Sequence, residues 1–189
     1  MDAFTIEITN CIKILQEGGL ILYPTDTVWG IGCDATNQEA VDKIYTLKNR
    51  PDTKAMICLV ANDAMLERYV QQVPKVAYDI IDLATKPTTI VYDNPIGIAK
   101  NLIAKDNTLA IRIASDKFCR YLINKFKKPI VSTSANFAGE PTPSNYSKIS
   151  AEILKGVDYV VNLQREQENG SSSSIIKLSN DGTVKVIRE

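Results

Sequence analysis

The run "VSTSAN", residues 131–136, sets three hydroxyls and a carboxamide directly behind an apolar stretch of strand character. Three other stretches carry groups that could work with them. "PTDT" (24–27) places two hydroxyls and a carboxylate just after the apolar run Leu20–Tyr23. "KNRPDTK" (48–54) gathers Lys48, Arg50 and Lys54 within seven residues, and "AIRIA" (110–114) sets Arg112 between two isoleucines. Hydroxyls and backbone at a strand end are suited to holding a ligand, and Arg with Lys is suited to gripping phosphate or carboxylate oxygens. The chain contains no histidine. That removes Ser-His-Asp and Cys-His nucleophiles in their usual forms and every histidine-based metal site. Catalysis is left to hydroxyls, carboxylates, Lys, Arg, Tyr and a bound ion or nucleotide.

Each stretch also has a plainer reading. "PTDT" is a good turn sequence, and the cations of "KNRPDTK" could complement a helix C-terminus. Arg112 could face water from an edge strand, and the hydroxyls of "STSAN" could cap a helix. Gly30 and Gly32 allow close backbone approach. Their GxG lacks the third glycine and opens no evident helix, so it is not a dinucleotide fingerprint.

The elements that must position these residues follow from periodicity. Ile8, Cys11, Ile12 and Leu15 share a helical face that Gly18 and Gly19 stop, and a strand is expected over Leu20–Tyr23. "NQEAVDKIYTLKNR" reads as a helix capped by Asn37, with Pro51 at or beyond its end. Residues 55–61 form a continuous apolar run of central-strand type. Helices are expected over 63–70, 75–85, 116–126 and 146–156, and strands over 87–93, 109–115, 129–136, 157–163, 172–179 and 183–189. The last two strands are joined by "NDG", a hairpin signal, and "QREQENGSSSS" (164–174) reads as a surface loop. Interspersed helices and strands with hairpin pairs near the C-terminus predict an α/β (α+β) fold with a mixed sheet.

The 189 residues suit one domain over 1–189. Lys and Arg total 22, Asp and Glu total 22, so overall charge favours neither nucleic acid nor membrane and any basic site must be local. Cys11, Cys33, Cys58 and Cys119 are scattered without a CxxC pair, which argues against a zinc ribbon or a redox motif. Without a signal-like leader or a bilayer-length apolar run, the expected location is cytoplasmic and reducing.

Three separated segments in order, "YPTDTVWGIGCDA", "KNRP" and "STSANFAGEPTP", resemble the YrdC-like family of threonylcarbamoyl-AMP synthases. The family's Lys-x-Arg followed by a distant Ser-x-Asn corresponds to Lys48, Arg50, Ser134 and Asn136. The resemblance runs from about residue 8 to the end of the chain and implies a short, single-domain form. It implies a twisted mixed sheet with flanking helices around a deep electropositive cavity. The implied reaction joins L-threonine, bicarbonate or CO2, and ATP into threonylcarbamoyl-AMP and pyrophosphate, which downstream proteins use to modify tRNA. It assigns Lys48, Arg50, Ser134 and Asn136 to catalysis. Thr27, Arg112 and Ser173 are assigned to threonine. Lys48, Arg50, Lys54, Thr108, Ser132, Ser134, Thr142 and Arg188 are assigned to the nucleotide. Mg2+ would arrive on the ATP phosphates, with Asn136 a candidate contact, and double-stranded RNA is a further implied ligand. Asp26 stands where the family often has Glu, and "GSSSS" is looser than the usual form. The alternative is a YciO-type paralogue that binds nucleotide or RNA without making the product. A carbamoyl-transfer module of the hydrogenase-maturation type is weakened by the absence of its companion segments.

Overall fold

The computed structural model of the chain describes residues 2–49, 56–168 and 170–189. Arg50 and Lys54 lie outside the described residues. Helix α1 spans Ala3–Gln16, and the Asp2 side chain caps it by accepting from Thr5 N at 2.8 Å. It starts earlier than Ile8 because this cap satisfies an otherwise orphaned amide and because Phe4 packs edge-on against Phe118, with ring centroids 6.0 Å apart. Strand β1 is Ile21–Tyr23, β2 is Gly30–Gly32, and α2 is Gln38–Leu47 with Asn37 accepting from Ala40 N at 3.1 Å, as its sequence predicts. Strand β3 (Ile57–Val60), helices α3 (Asp63–Tyr69) and α4 (Val76–Leu83), and strands β4 (Thr88–Asp93) and β5 (Thr108–Ile113) follow.

Helix α5 (Lys117–Phe126) is capped by Asp116, and β6 is Ile130–Ser134. Ser132, Thr133 and Ser134 are therefore strand residues, and the loop proper begins after them. The expected helix over 146–156 is split into a 3-10 turn at Tyr146–Lys148 and α6 at Ala151–Gly156. Ser150 breaks it by taking an extended conformation and capping α6 from its hydroxyl. Strand β7 shrinks to Tyr159–Val160, and β8 (Ser174–Leu178) and β9 (Val184–Arg188) make the expected hairpin, with Gly182 at φ 88° in its turn.

Among the described residues nine strands form one mixed sheet in the order β7-β1-β2-β6-β3-β5-β4-β8-β9. The pairs β1/β7, β3/β5 and β4/β8 are parallel and the other five antiparallel. Arg112 thus lies on a central strand, opposite Leu59 of β3, and the edge-strand reading of it is excluded. The connection after β3 leads to β4 on one side of β5, while β5 leads through α5 to β6 on the other side of β3.

Strand β2 was not legible as a strand, because Gly-Ile-Gly has weak β-propensity. Its glycines are there for space. A Cβ on Gly32 would lie 2.5 Å from Val131 O and 2.7 Å from the Tyr23 ring. Tyr23 is fully buried across this gap and donates its hydroxyl to Val131 O at 3.0 Å. All four cysteines are free and buried, and burial pushes the Cys58 thiol up to about 12. No helix among the described residues is long and apolar enough to cross a membrane.

Gly32→Ala must displace either the β6 backbone or Tyr23. It should lower stability by about 1–3 kcal/mol, the usual cost of overpacking, read as a lower urea midpoint. Val186→Ala on exposed β9 should leave that midpoint nearly unchanged. A second expectation concerns Asp116, whose carboxyl is held above its ordinary value chiefly by burial and whose Oδ2 has no hydrogen-bond partner. A raised folded-state pKa gives stability that is full below the unfolded value and lost as pH rises through the folded one. Asp116→Asn keeps a good cap and removes that titration. Its Tm should exceed the parent's at pH 7, by a few degrees at most, and the gain should vanish near pH 3.

Candidate functional site

The turn after β1 is built by Thr25. Its Oγ1 accepts from the Thr27 and Val28 amides at 3.1 and 3.2 Å and donates to Val28 O at 2.7 Å. The Thr25 proton is therefore committed to Val28 O, so in its 3.0 Å contact with Thr25 Oγ1 the Thr27 hydroxyl is the donor. Arg112 Nη2 in turn donates to Thr27 Oγ1 at 3.4 Å. The same turn sends Asp26 to Arg112, with Oδ1 2.9 Å from Nη2 and the two side chains 8% and 3% exposed. This contact is close but poorly aligned: Asp26 Oδ1 and Arg112 Nε are both buried without a hydrogen-bond partner among the described residues. Arg112 therefore has its charge met while keeping donor capacity.

Arg112 lines a cavity of about 340 Å³, together with Thr27, Ser132, Ser134, Thr142, Ser173 and Arg188. Seven of the residues expected from the sequence are thus brought to one place, from the turn before β2, from β5, β6 and the loop after it, from the residue preceding β8, and from β9. Met56, Ile57, Val91 and Ile175 supply apolar wall. On the β8 side, Ser173 is buried, and its hydroxyl shares a 2.8 Å hydrogen bond with Thr89 Oγ1. Its carbonyl accepts from Arg188 Nε and Nη2 at 2.9 and 2.7 Å. The guanidinium of Arg188 is thereby braced on the wall of the cavity.

Three expected residues fall elsewhere. Thr108 starts β5 on the same face as Ala110 and Arg112 by strand alternation, but its hydroxyl goes to Asp106 Oδ1 at 2.7 Å and it does not line the cavity. Asn136 lines a neighbouring cleft of about 540 Å³ that shares Thr142 with the cavity. Its Nδ2 donates to Phe137 O and Glu140 O at 2.9 and 2.8 Å, while its Oδ1 is buried without a hydrogen-bond partner. Lys48 is 1% exposed and sends its ammonium to the carbonyls of Ser134 and Asn136, the latter at 2.5 Å. Its own carbonyl accepts from Ala138 N at 3.0 Å. The end of α2 is thus stitched to residues 134–138, at the end of β6 and in the loop that follows it. The sequence shows Lys48 as a cation near a helix end and gives no sign of this internal partner.

Asp26 had a sequence signal, as the carboxylate of "PTDT" standing where the family often has Glu, but it was given no binding or catalytic role. Ser115 was missed too, although it donates Oγ to Asp26 Oδ2 at 2.6 Å. Among the described residues no three His, Cys, Asp or Glu side chains gather as a metal cluster.

The model of the Sua5/yciO/yrdC family, described as telomere recombination, matches residues 13–189. The threonylcarbamoyl-AMP synthase of Pseudoalteromonas translucida is 33% identical over 159 residues, covering 82% of this chain and 84% of that protein. The threonylcarbamoyl-AMP synthase of Photobacterium profundum is 29% identical over 186 residues, covering 94% and 96%. Among solved structures, P. abyssi Sua5 complexed with L-threonine superposes with a TM-score of 0.83 at 22% identity, over 100% of this chain and 54% of that one. E. coli YciO superposes with a TM-score of 0.82 at 24% identity, over 96% and 88%. This chain spans just over half of the P. abyssi protein's length, and at these identities the likeness is one of fold. With the family model covering nearly the whole chain and a relative above 30% identity matched along most of its length, this chain belongs to the Sua5/yciO/yrdC family.

Proposed function

We propose that the protein makes threonylcarbamoyl-AMP and pyrophosphate from L-threonine, bicarbonate or CO2, and ATP. The observation that carries this reading is Arg112: a guanidinium buried in a central strand, on the wall of a hydroxyl-lined cavity. A carboxylate is the group that such a donor accepts best, and threonine brings one. Thr27 and Ser173 offer hydroxyls to the remainder of the amino acid. The threonine amine bonds to the carbon of CO2 and loses a proton, giving an N-carboxylate. One of its oxygens then attacks the α-phosphorus of ATP, and the bond from that phosphorus to the bridging oxygen breaks, releasing pyrophosphate. The nucleophile is the substrate's own anion, so no histidine is needed. What the protein contributes is the holding together of two anions in line and the neutralisation of charge on the leaving group.

Ser132, Ser134, Thr142 and Arg188 are read as the nucleotide side of the cavity, with Arg50 and Lys54 as phosphate cations. Lys48 is read as acting through the loop whose carbonyls it grips, and so as setting where Ser134 and Asn136 stand. The donor set fits a Mg2+ ion carried in on the phosphates rather than held in a protein cage, since Asn136 Oδ1 is a single oxygen without a hydrogen-bond partner. The ion would supply charge neutralisation at the phosphates. The product is a mixed anhydride, which suits it to donating its threonylcarbamoyl group to the adenosine of a tRNA through a separate transfer step. Four buried free thiols fit a reducing, cytoplasmic setting.

The test is pyrophosphate release from ATP with threonine omitted and then with bicarbonate omitted. Release that depends on both is the expected result, and release indifferent to either points to the paralogue reading. Arg112→Lys keeps the charge and loses the fork. It should raise the apparent KM for threonine about tenfold, the loss of one charged hydrogen bond, with the KM for ATP within about twofold. An equal rise for ATP would remove Arg112 from the threonine side. Lys48→Met should raise the KM for ATP by about tenfold or more through a displaced loop. It should also lower stability by about 1–3 kcal/mol, because buried carbonyls lose their donor. ATP titration that matches the parent would end that role.

A further inference from the structure

The structure assigns Asp26 as the positioning residue for the substrate arginine, acting from behind it with Ser115 as its anchor. This rests on the reading of Arg112 as the threonine-carboxylate residue. The geometry separates the two partners of the ion pair. Arg112 lines the hydroxyl-rich cavity and Asp26 does not. Asp26 instead lines a second cleft of about 470 Å³, with Ser115, Arg120 and Lys86. Its carboxylate therefore meets substrate only through Arg112.

Each oxygen of Asp26 has its own task. Oδ1 lies 2.9 Å from Arg112 Nη2. Oδ2 accepts from Ser115 Oγ at 2.6 Å and from Ser115 N at 3.3 Å. Ser115 lies two residues beyond the end of β5, on the strand's own continuation past Arg112. The carboxylate is thus clamped to two points of one chain segment three residues apart, and it fixes the turn after β1 against the end of β5. Thr27, the next residue, has Arg112 Nη2 at 3.4 Å. One side chain therefore sets the place of both residues read as holding threonine. It holds Nη2 at 2.9 Å and so fixes where the guanidinium stands on the cavity wall.

Removing the carboxylate has a definite meaning. Asp26→Asn leaves Arg112 buried without its counter-charge, so the guanidinium must turn toward solvent or recruit another partner. Ser115→Ala is the milder variant: it keeps the ion pair and frees Oδ2. The expected result is a rise in the threonine KM of about tenfold for Asp26→Asn and about threefold for Ser115→Ala. The KM for ATP and kcat should stay within about twofold. In an Arg112→Lys background, Asp26→Asn should add little, because the fork it aims is already gone. A merely structural Asp26 would lower kcat and both KM values together and would remain additive with Arg112→Lys, and either outcome overturns the proposal.

A second readout stands apart from activity. The Arg112 Nε–H resonance in 15N NMR should exchange slowly with solvent in the parent, and about tenfold or more faster in Ser115→Ala and Asp26→Asn. Unchanged exchange in both variants overturns the positioning role even where the enzyme is active. Faster exchange in a protein without threonine-dependent pyrophosphate release sustains the positioning role and rejects the function instead. Asp26→Glu, which keeps the charge, should recover slow exchange at least in part, and an Asp26→Glu protein as fast as Asp26→Asn counts against the role.

Discussion

A guanidinium in the middle of a sheet must be met by an opposite charge or neutral oxygens, because its dehydration is otherwise unaffordable within a stability of some 5–15 kcal/mol. Arg112 imposes that constraint on this fold. Its position on β5 requires a carboxylate from elsewhere in the chain, and the turn after β1 brings one. That turn is tied by Thr25 so that Asp26 and Thr27 emerge side by side. The strand pair that launches it depends in turn on Gly32, which leaves room for Tyr23 to cross and bond to β6. A charge in one strand thus calls for a turn, and the strand pair that launches the turn calls for Gly32.

Lys48 meets the same constraint by a different route. It is buried as deeply as Arg112, and carbonyl oxygens of Ser134 and Asn136 receive its ammonium. Those contacts tie the end of α2 to the segment that carries Ser134 and Asn136.

Much of this was legible in the order of residue types. Asn37 announced a cap and performs it, "NDG" announced a hairpin and makes it, and the continuous apolar run before Ala61 announced a central strand. The family resemblance, more than the residues alone, implied that "STSAN" and the arginine of "AIRIA" share a site, and the strands bring Ser132, Ser134 and Arg112 to one cavity. The misses share a cause. Gly30–Gly32 became a strand through a contact with Tyr23, which no local propensity records. Ser150 divided the segment 146–156 although its periodicity ran on. Lys48 sits where a phosphate cation would sit, but its partner is 86 residues away, and spacing along a chain does not show which of two oxygens an ammonium will find. Asp26 and Ser115, 89 residues apart, were invisible as a pair for the same reason.

Strand β9 forms the outer edge of the sheet, and all five of its residues are exposed. It is also the strand that braces Arg188 against Ser173. Its neighbour holds it by one ladder of backbone hydrogen bonds, with little apolar burial to add cooperativity. Segments of that kind open at free energies well below that of global unfolding. One wall of the cavity is therefore hinged on the least secured strand, while the opposite wall, β5 and β6, belongs to the most secured part of the sheet. The cavity thus has a rigid floor and a yielding rim.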